Sequence, residues 1–153
     1  MKPLINGILC LLIILSCISS DAQNISVREP NYKRPILFQN FPQRTSIDMT
    51  NLEYLLQYET GRQVSLTLAP NFIFQGIVSS VVSKNENSIN SIVIRSTNWH
   101  GAAFSFSKIN KPDGSFYFTG RIISFEHGDG YELNYENGQY YLNKKGFYDM
   151  VNE

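Results

Sequence analysis

The chain has 153 residues, with 13 Lys and Arg against 13 Asp and Glu. That balance lacks both the basic excess expected of a nucleic-acid binder and a polybasic run for an anionic membrane. The length suits one domain, and the only two cysteines, Cys10 and Cys17, lie near the N-terminus, so the folded part has no disulfide to hold it.

Lys2 and the terminal amine precede an apolar run from Leu4 to Leu15, and Ser20-Asp21-Ala22 places small residues ahead of Gln23. This is the layout of a secretory signal cleaved after Ala22. The run is shorter than the roughly 20 apolar residues of a spanning helix. No later stretch is more apolar, so no integral membrane segment is expected in the mature chain. Ile14-Leu15-Ser16-Cys17 also resembles a degenerate lipobox, in which Cys17 is acylated and becomes the new N-terminus. The expected location is therefore secreted or periplasmic, with a lipid-anchored envelope protein as the alternative. Removing 22 residues leaves 131, and all ten Phe, all nine Tyr and the single Trp are among them. A chain of that size buries about two-thirds of its unfolded surface, and the aromatic load favours strands.

Residues 23–47 show little periodicity, and Pro30, Pro35 and Pro42 interrupt any regular element. They read as an extended arm that packs along its own domain, because Ile36, Leu37, Phe38 and Phe41 are costly to leave in water. Residues 48–153 read as one β-rich domain that begins with a helix. Thr50-Asn51-Leu52-Glu53 has the form of a capping box. Leu52, Leu55 and Leu56 make one apolar stripe, and Gly61 is the stop, so a helix is expected from about Asn51 to Thr60.

After Gly61 the apolar period changes from helical spacing to two. Strands are expected over 63–69, 72–83, 92–97, 102–109 and 115–126, with two more flanking Asn137-Gly138. Short turns between them make sequence neighbours pair as an antiparallel meander of about seven strands. Gly76 and Gly120 lie inside the two longest strands, where glycine marks a bend, so the sheet is expected to curl into a barrel-like form. The expected class is mainly β, bordering on α+β. Pro112-Asp113-Gly114 suits a type I turn followed by a left-handed glycine. It places Phe104, Phe106, Phe116 and Phe118 on one face, opposite Ser105, Ser107, Tyr117, Thr119 and Arg121. Asn137-Gly138 is a type I′ signal that sets Glu136 against Gln139, Tyr135 against Tyr140 and Leu133 against Leu142. Tyr131, Leu133, Tyr135, Tyr140 and Leu142 then share the core face, while Glu132, Asn134, Glu136 and Tyr141 take the wet one.

No catalytic constellation emerges. His100 and His127 each precede a glycine in an expected loop, without the local spacing that puts two ligands on one metal. Asp129 between glycines lacks the rest of a calcium loop. No Ser stands in a Gly-x-Ser-x-Gly elbow, and Glu132 and Glu136 carry the parity of a solvated strand face. No cofactor is expected. Recognition remains: Trp99 beside His100 in a polar loop is an anchor of the kind found at interfaces. Tyr141 among Asn residues can stack on a glycan or peptide, and Arg95 and Arg121 can point into a shared polar pocket if the sheet closes. The function expected is that of a small exported, non-catalytic domain binding a protein or glycan through loops and exposed aromatics. Two other classes remain open: a carrier of a small apolar ligand inside the curled sheet, and an unrecognised hydrolase or metalloenzyme.

Overall fold

The computed structural model describes residues 33–84 and 88–151. The leader with Cys10 and Cys17, and the first ten residues of the arm, lie outside them. Among the described residues there are eight strands: β1 (Arg44–Ser46), β2 (Gln63–Ala69), β3 (Phe72–Lys84), β4 (Ile89–Ser96), β5 (Ala102–Asn110), β6 (Phe116–Ser124), β7 (Asp129–Glu136) and β8 (Gln139–Gly146). Their order is β1-β8-β7-β6-β5-β4-β3-β2, an antiparallel meander with β1 added beside β8. The sheet curls into a half-barrel. One strand more than expected arises because the arm contributes β1, three residues too short and too polar to show a period of two.

The bend has a local cause at Gly76, where a Cβ would stand 2.5 Å from the Arg95 carbonyl oxygen and 2.7 Å from Ile94 Cγ2. Only glycine lets the neighbouring backbone approach that closely. Shifts of register at Thr67/Ala69 and Val78/Ser80 add further twist. The concave face is filled by the chain's own side chains: Phe74, Phe104 and Phe106 are fully buried, with Ile92, Ile94 and Ile122 around them. Phe106 stacks on Phe118 with ring centroids 5.4 Å apart.

A short helix, α1 (Met49–Glu53), continues as a 3-10 turn over Tyr54–Gln57 and lays Leu52 and Leu55 onto this core. The helix is shorter than expected and starts earlier. Asp48, not Thr50, is the N-cap, its Oδ1 accepting the Thr50 amide at 2.9 Å. Glu53 does not reach back to the cap but pairs with Lys108 of β5 at 2.5 Å. Leu52 in the α-helical turn and Leu55 in the 3-10 turn are three residues apart, a spacing that puts both on the core side, and the chain extends again at Tyr58.

Both turns read from sequence are present. Gly114 has φ +84, and the Asp113 carboxylate takes the Ser115 amide and hydroxyl. Asn137 and Gly138 have φ 52 and 82, and Glu136, Tyr135 and Leu133 face Gln139, Tyr140 and Leu142. Three expectations about burial fail. Tyr135 is 61% exposed because its strand runs past the end of the core. Phe116 projects beyond the core at the same end of the sheet. Glu132 is buried on the convex face, flanked by Lys145 at 2.6 Å and by Arg121 at 3.4 Å. A second short helix, α2 (Phe147–Val151), covers that convex face, and its Met150 carbonyl accepts a 2.7 Å bond from Arg121. Among the described residues no helix is long and apolar enough to cross a membrane.

Candidate functional site

The arm crosses the end of the half-barrel that carries the β2–β3, β4–β5 and β6–β7 turns. Asp129, expected in a loop, begins β7 instead and is buried beneath the arm. Its Oδ1 accepts the Leu37 amide at 2.7 Å and its Oδ2 the Phe38 amide at 2.9 Å. Lys144 of β8 supplies the opposite charge, donating to the Phe38 and Phe41 carbonyls at 2.6 and 2.7 Å. An acid takes the arm's donors and a base takes its acceptors, which satisfies backbone groups that no strand pairs. Tyr131 completes the clamp, its hydroxyl donating to the Pro42 carbonyl at 2.6 Å. Burial, and then the nearby Asp129 charge, push the Tyr131 phenol up to about 12.

The clamp drives Phe38 into a cluster of rings. Phe72, Trp99 and Tyr131 lie 5.6, 5.5 and 5.3 Å from it, and Phe41 stands edge-on to Trp99 at 5.0 Å. Trp99 is therefore half-buried, with its indole N–H bonded to the Ile73 carbonyl at 3.1 Å.

His100 and His127 both reach the β6–β7 turn, but through separate bonds. His100 Nδ1 lies 3.0 Å from Glu126 Oε2, with its side chain 86% exposed. His127 Nδ1 lies 2.8 Å from the buried Ser124 hydroxyl, which also accepts the Glu126 amide. These contacts order the turn, His100 and Glu126 on its exposed side and His127 against buried Ser124. Among the described residues no group of three or more His, Cys, Asp or Glu could hold a metal ion.

Next to this turn stands Phe125, 71% exposed, the highest value among the large hydrophobics of the described residues, and Ile36 beside it is 52% exposed. Phe125 is braced from behind by the Phe147 ring at 5.5 Å, and its carbonyl accepts the Arg34 guanidinium at 2.7 Å. Arg34 itself lies over the Phe147 ring at 4.4 Å. Gly128 brings the arm close, with the Ile36 side chain 3.5 Å from where a Cβ would be.

The other residues singled out from the sequence lie elsewhere. Arg95 and Arg121 are both on the convex face, on different cross-strand rows. Arg95 is opposite Ala103 and exposed, whereas Arg121 is opposite Ser105 and tied to Glu132 and Met150. They do not share a pocket. Tyr141 is half-buried under Arg44, whose guanidinium sits 3.7 Å above the ring and also pairs with Glu136 at 2.9 Å.

The sequence pattern does not single out Phe125, and Ile36, expected to pack with the rest of the arm, is instead 52% exposed. One signal was available: Phe125 continues the parity of Tyr117, Thr119 and Arg121, so a large apolar residue stood on the face read as polar. Together these features define an antiparallel half-barrel that is plugged at one end by its own arm, with a braced aromatic beside the plug. Compared with protein-family models, with curated proteins and with solved structures, the chain gives no match.

Proposed function

We propose that this chain is an exported, non-catalytic domain that binds a protein partner through the arm end of the half-barrel. One observation carries the reading: Phe125 is held in solvent by bonds from behind. A Phe left in water forgoes roughly 1.5–3 kcal/mol of burial, and here the turn is braced by Phe147 and Arg34 rather than free to fold the ring away. Ile36 widens the apolar contact, and His100 and Glu126 give it a polar rim, the composition of an interface core with its border. Trp99, half-buried, lies on the neighbouring turn. The carrier reading has less support, because the concave face is filled by Phe and Ile side chains. The hydrolase reading has less support as well, since the two histidines engage separate partners outside any cleft. Export rests on the leader, with cleavage after Ala22.

A photoreactive amino acid in place of Phe125, introduced in the native host, tests the reading. It should give a discrete protein adduct that the same group in place of Ser107, on the convex face, does not. The purified partner should then bind the unmodified chain and lose at least tenfold in affinity to Phe125→Glu. A glycan in place of a protein adduct, or equal adducts at both positions, would overturn it. The intact mass of the exported chain should begin at Gln23 or its cyclised form. Acyl chains on Cys17 would replace secretion by anchoring.

A further inference from the structure

A second site lies away from the arm end, along the seam where the half-barrel fails to close. Gln75 accepts the Thr97 amide, and Ile73 accepts from Asn98 and Trp99, so both residues point their backbone groups away from β2. Val78 exchanges bonds with Gly61 and Arg62 on the other side. Strand alternation then fixes the direction for the whole of β2. Val64 and Leu66, opposite Gly76 and Phe74, bond to β3. Ser65 and Thr67 aim their N–H and C=O groups at the free edge, beyond which the sheet has no further strand.

The facing wall is built the same way. Ile47 donates to Tyr140, and Lys144 donates to Gln43, so Gln43, Thr45 and Ile47 point toward β8 and Ser46 points into the seam. At the top the two edges touch through one bond, Thr45 Oγ1 to the Leu68 carbonyl at 3.3 Å. Below it they part into a groove of about 460 Å³ floored by Leu52, Leu55 and Leu66 and flanked by Tyr54 and Tyr58. The strand Gln63–Leu68 offers about 17 Å of edge at 3.3 Å per residue. It carries no charge, proline or covering strand of the kinds that natural edges use for protection. Among the described residues, the only charged side chain lining the groove is Asp48. Its oxygens accept from Thr50 and Asn51 and retain further lone pairs.

We propose that this seam is a binding site for an extended polypeptide strand of about five residues, supplied by a partner protein and carrying a basic residue at the Asp48 end. The strand adds antiparallel to β2 and bonds to Ser65 and Thr67. Alternate side chains rest on the leucine floor, and the others stay in solvent, so the preferred pattern is apolar at every second position. Asp48 repels acidic flanks and favours basic ones. The site is separate from Phe125, so the two readings fail independently.

The probe is a capped Lys-Thr-Val-Thr-Val-Thr-Lys peptide at millimolar concentration, followed by NMR-detected amide exchange on the full mature chain. Exchange at Ser65 and Thr67 should slow at least tenfold while Val64 and Leu66 are unchanged. The same peptide N-methylated at alternate residues should give no protection, and a version with Glu flanks should bind at least fivefold more weakly. Asp48→Asn keeps the helix cap and should remove that charge preference. Ser65→Pro deletes the edge donor and should abolish protection at Thr67, with circular dichroism checking the fold. Unaltered exchange at Ser65 and Thr67, or equal protection by the N-methylated peptide, overturns the proposal.

Discussion

The arm end and the seam are two places where the half-barrel lacks strand pairing, and they solve the problem differently. At the arm end, Asp129 and Lys144 take the arm's backbone groups by charge-assisted bonds, and Phe38 is buried among four aromatic rings. At the seam, a single neutral hydroxyl spans the two edges, and α1 packs its leucines without filling the gap. The difference shows what closure requires. Apolar burial seals a region only where the backbone polar groups beneath it are also satisfied. Where they are not, a groove remains.

The comparison would break first at Phe38. Its replacement by Ala should cost about 3–5 kcal/mol in urea unfolding, the range for deleting a buried aromatic ring. A loss under about 1 kcal/mol would mean that the arm lies on the domain without holding it. Asp129→Ala comes next, at roughly 2–4 kcal/mol, since it strands the Leu37 and Phe38 amides, the second of them buried. Equal stability of this variant and the parent would remove the clamp from the account.

Alkaline pH sharpens the picture at the same site. The Tyr131 phenol keeps its proton to about 12 in the folded chain, against about 10 when unfolded. A raised folded value contributes stability that is complete below pH 10 and is lost as pH climbs toward 12. Melting temperatures from pH 8 to 12 should therefore fall less steeply for Tyr131→Phe than for the parent; parallel curves would contradict the burial of this hydroxyl. The smallest effect belongs to the seam. Thr45→Val should change stability by less than about 1 kcal/mol, because a single partly exposed neutral bond is lost. A cost matching that of Asp129→Ala would show that the seam is sealed as firmly as the arm end.

Much of the β architecture was legible in the residues. Period-two alternation after Gly61, the two glycine-bearing turns and the register of the β7–β8 hairpin follow from local chemistry. Asn137-Gly138 admits positive φ, and a two-residue loop leaves one pairing. Gly76 announced the bend for the same reason, since a missing Cβ is a local fact. The helix boundary was misread because Thr50 and Asp48 both offer a capping oxygen, and the position of Leu52 and Leu55 over the core decided between them.

The candidate sites were much less legible. Trp99 looked exposed because its sequence neighbours are polar, yet the rings beside it, Phe38, Phe41 and Phe72, come from distant positions in the chain. Glu132 carried the parity of a wet face and was buried by Lys145, Arg121 and α2. Asp129 read as a turn residue until the arm arrived at its carboxylate. Local patterns of period, turn chemistry and glycine thus determined which residues form strands and how neighbours pair. Which edges stay open, which polar groups are clamped and which aromatics face water depend on contacts between residues some ninety positions apart, and only the folded chain brings those together.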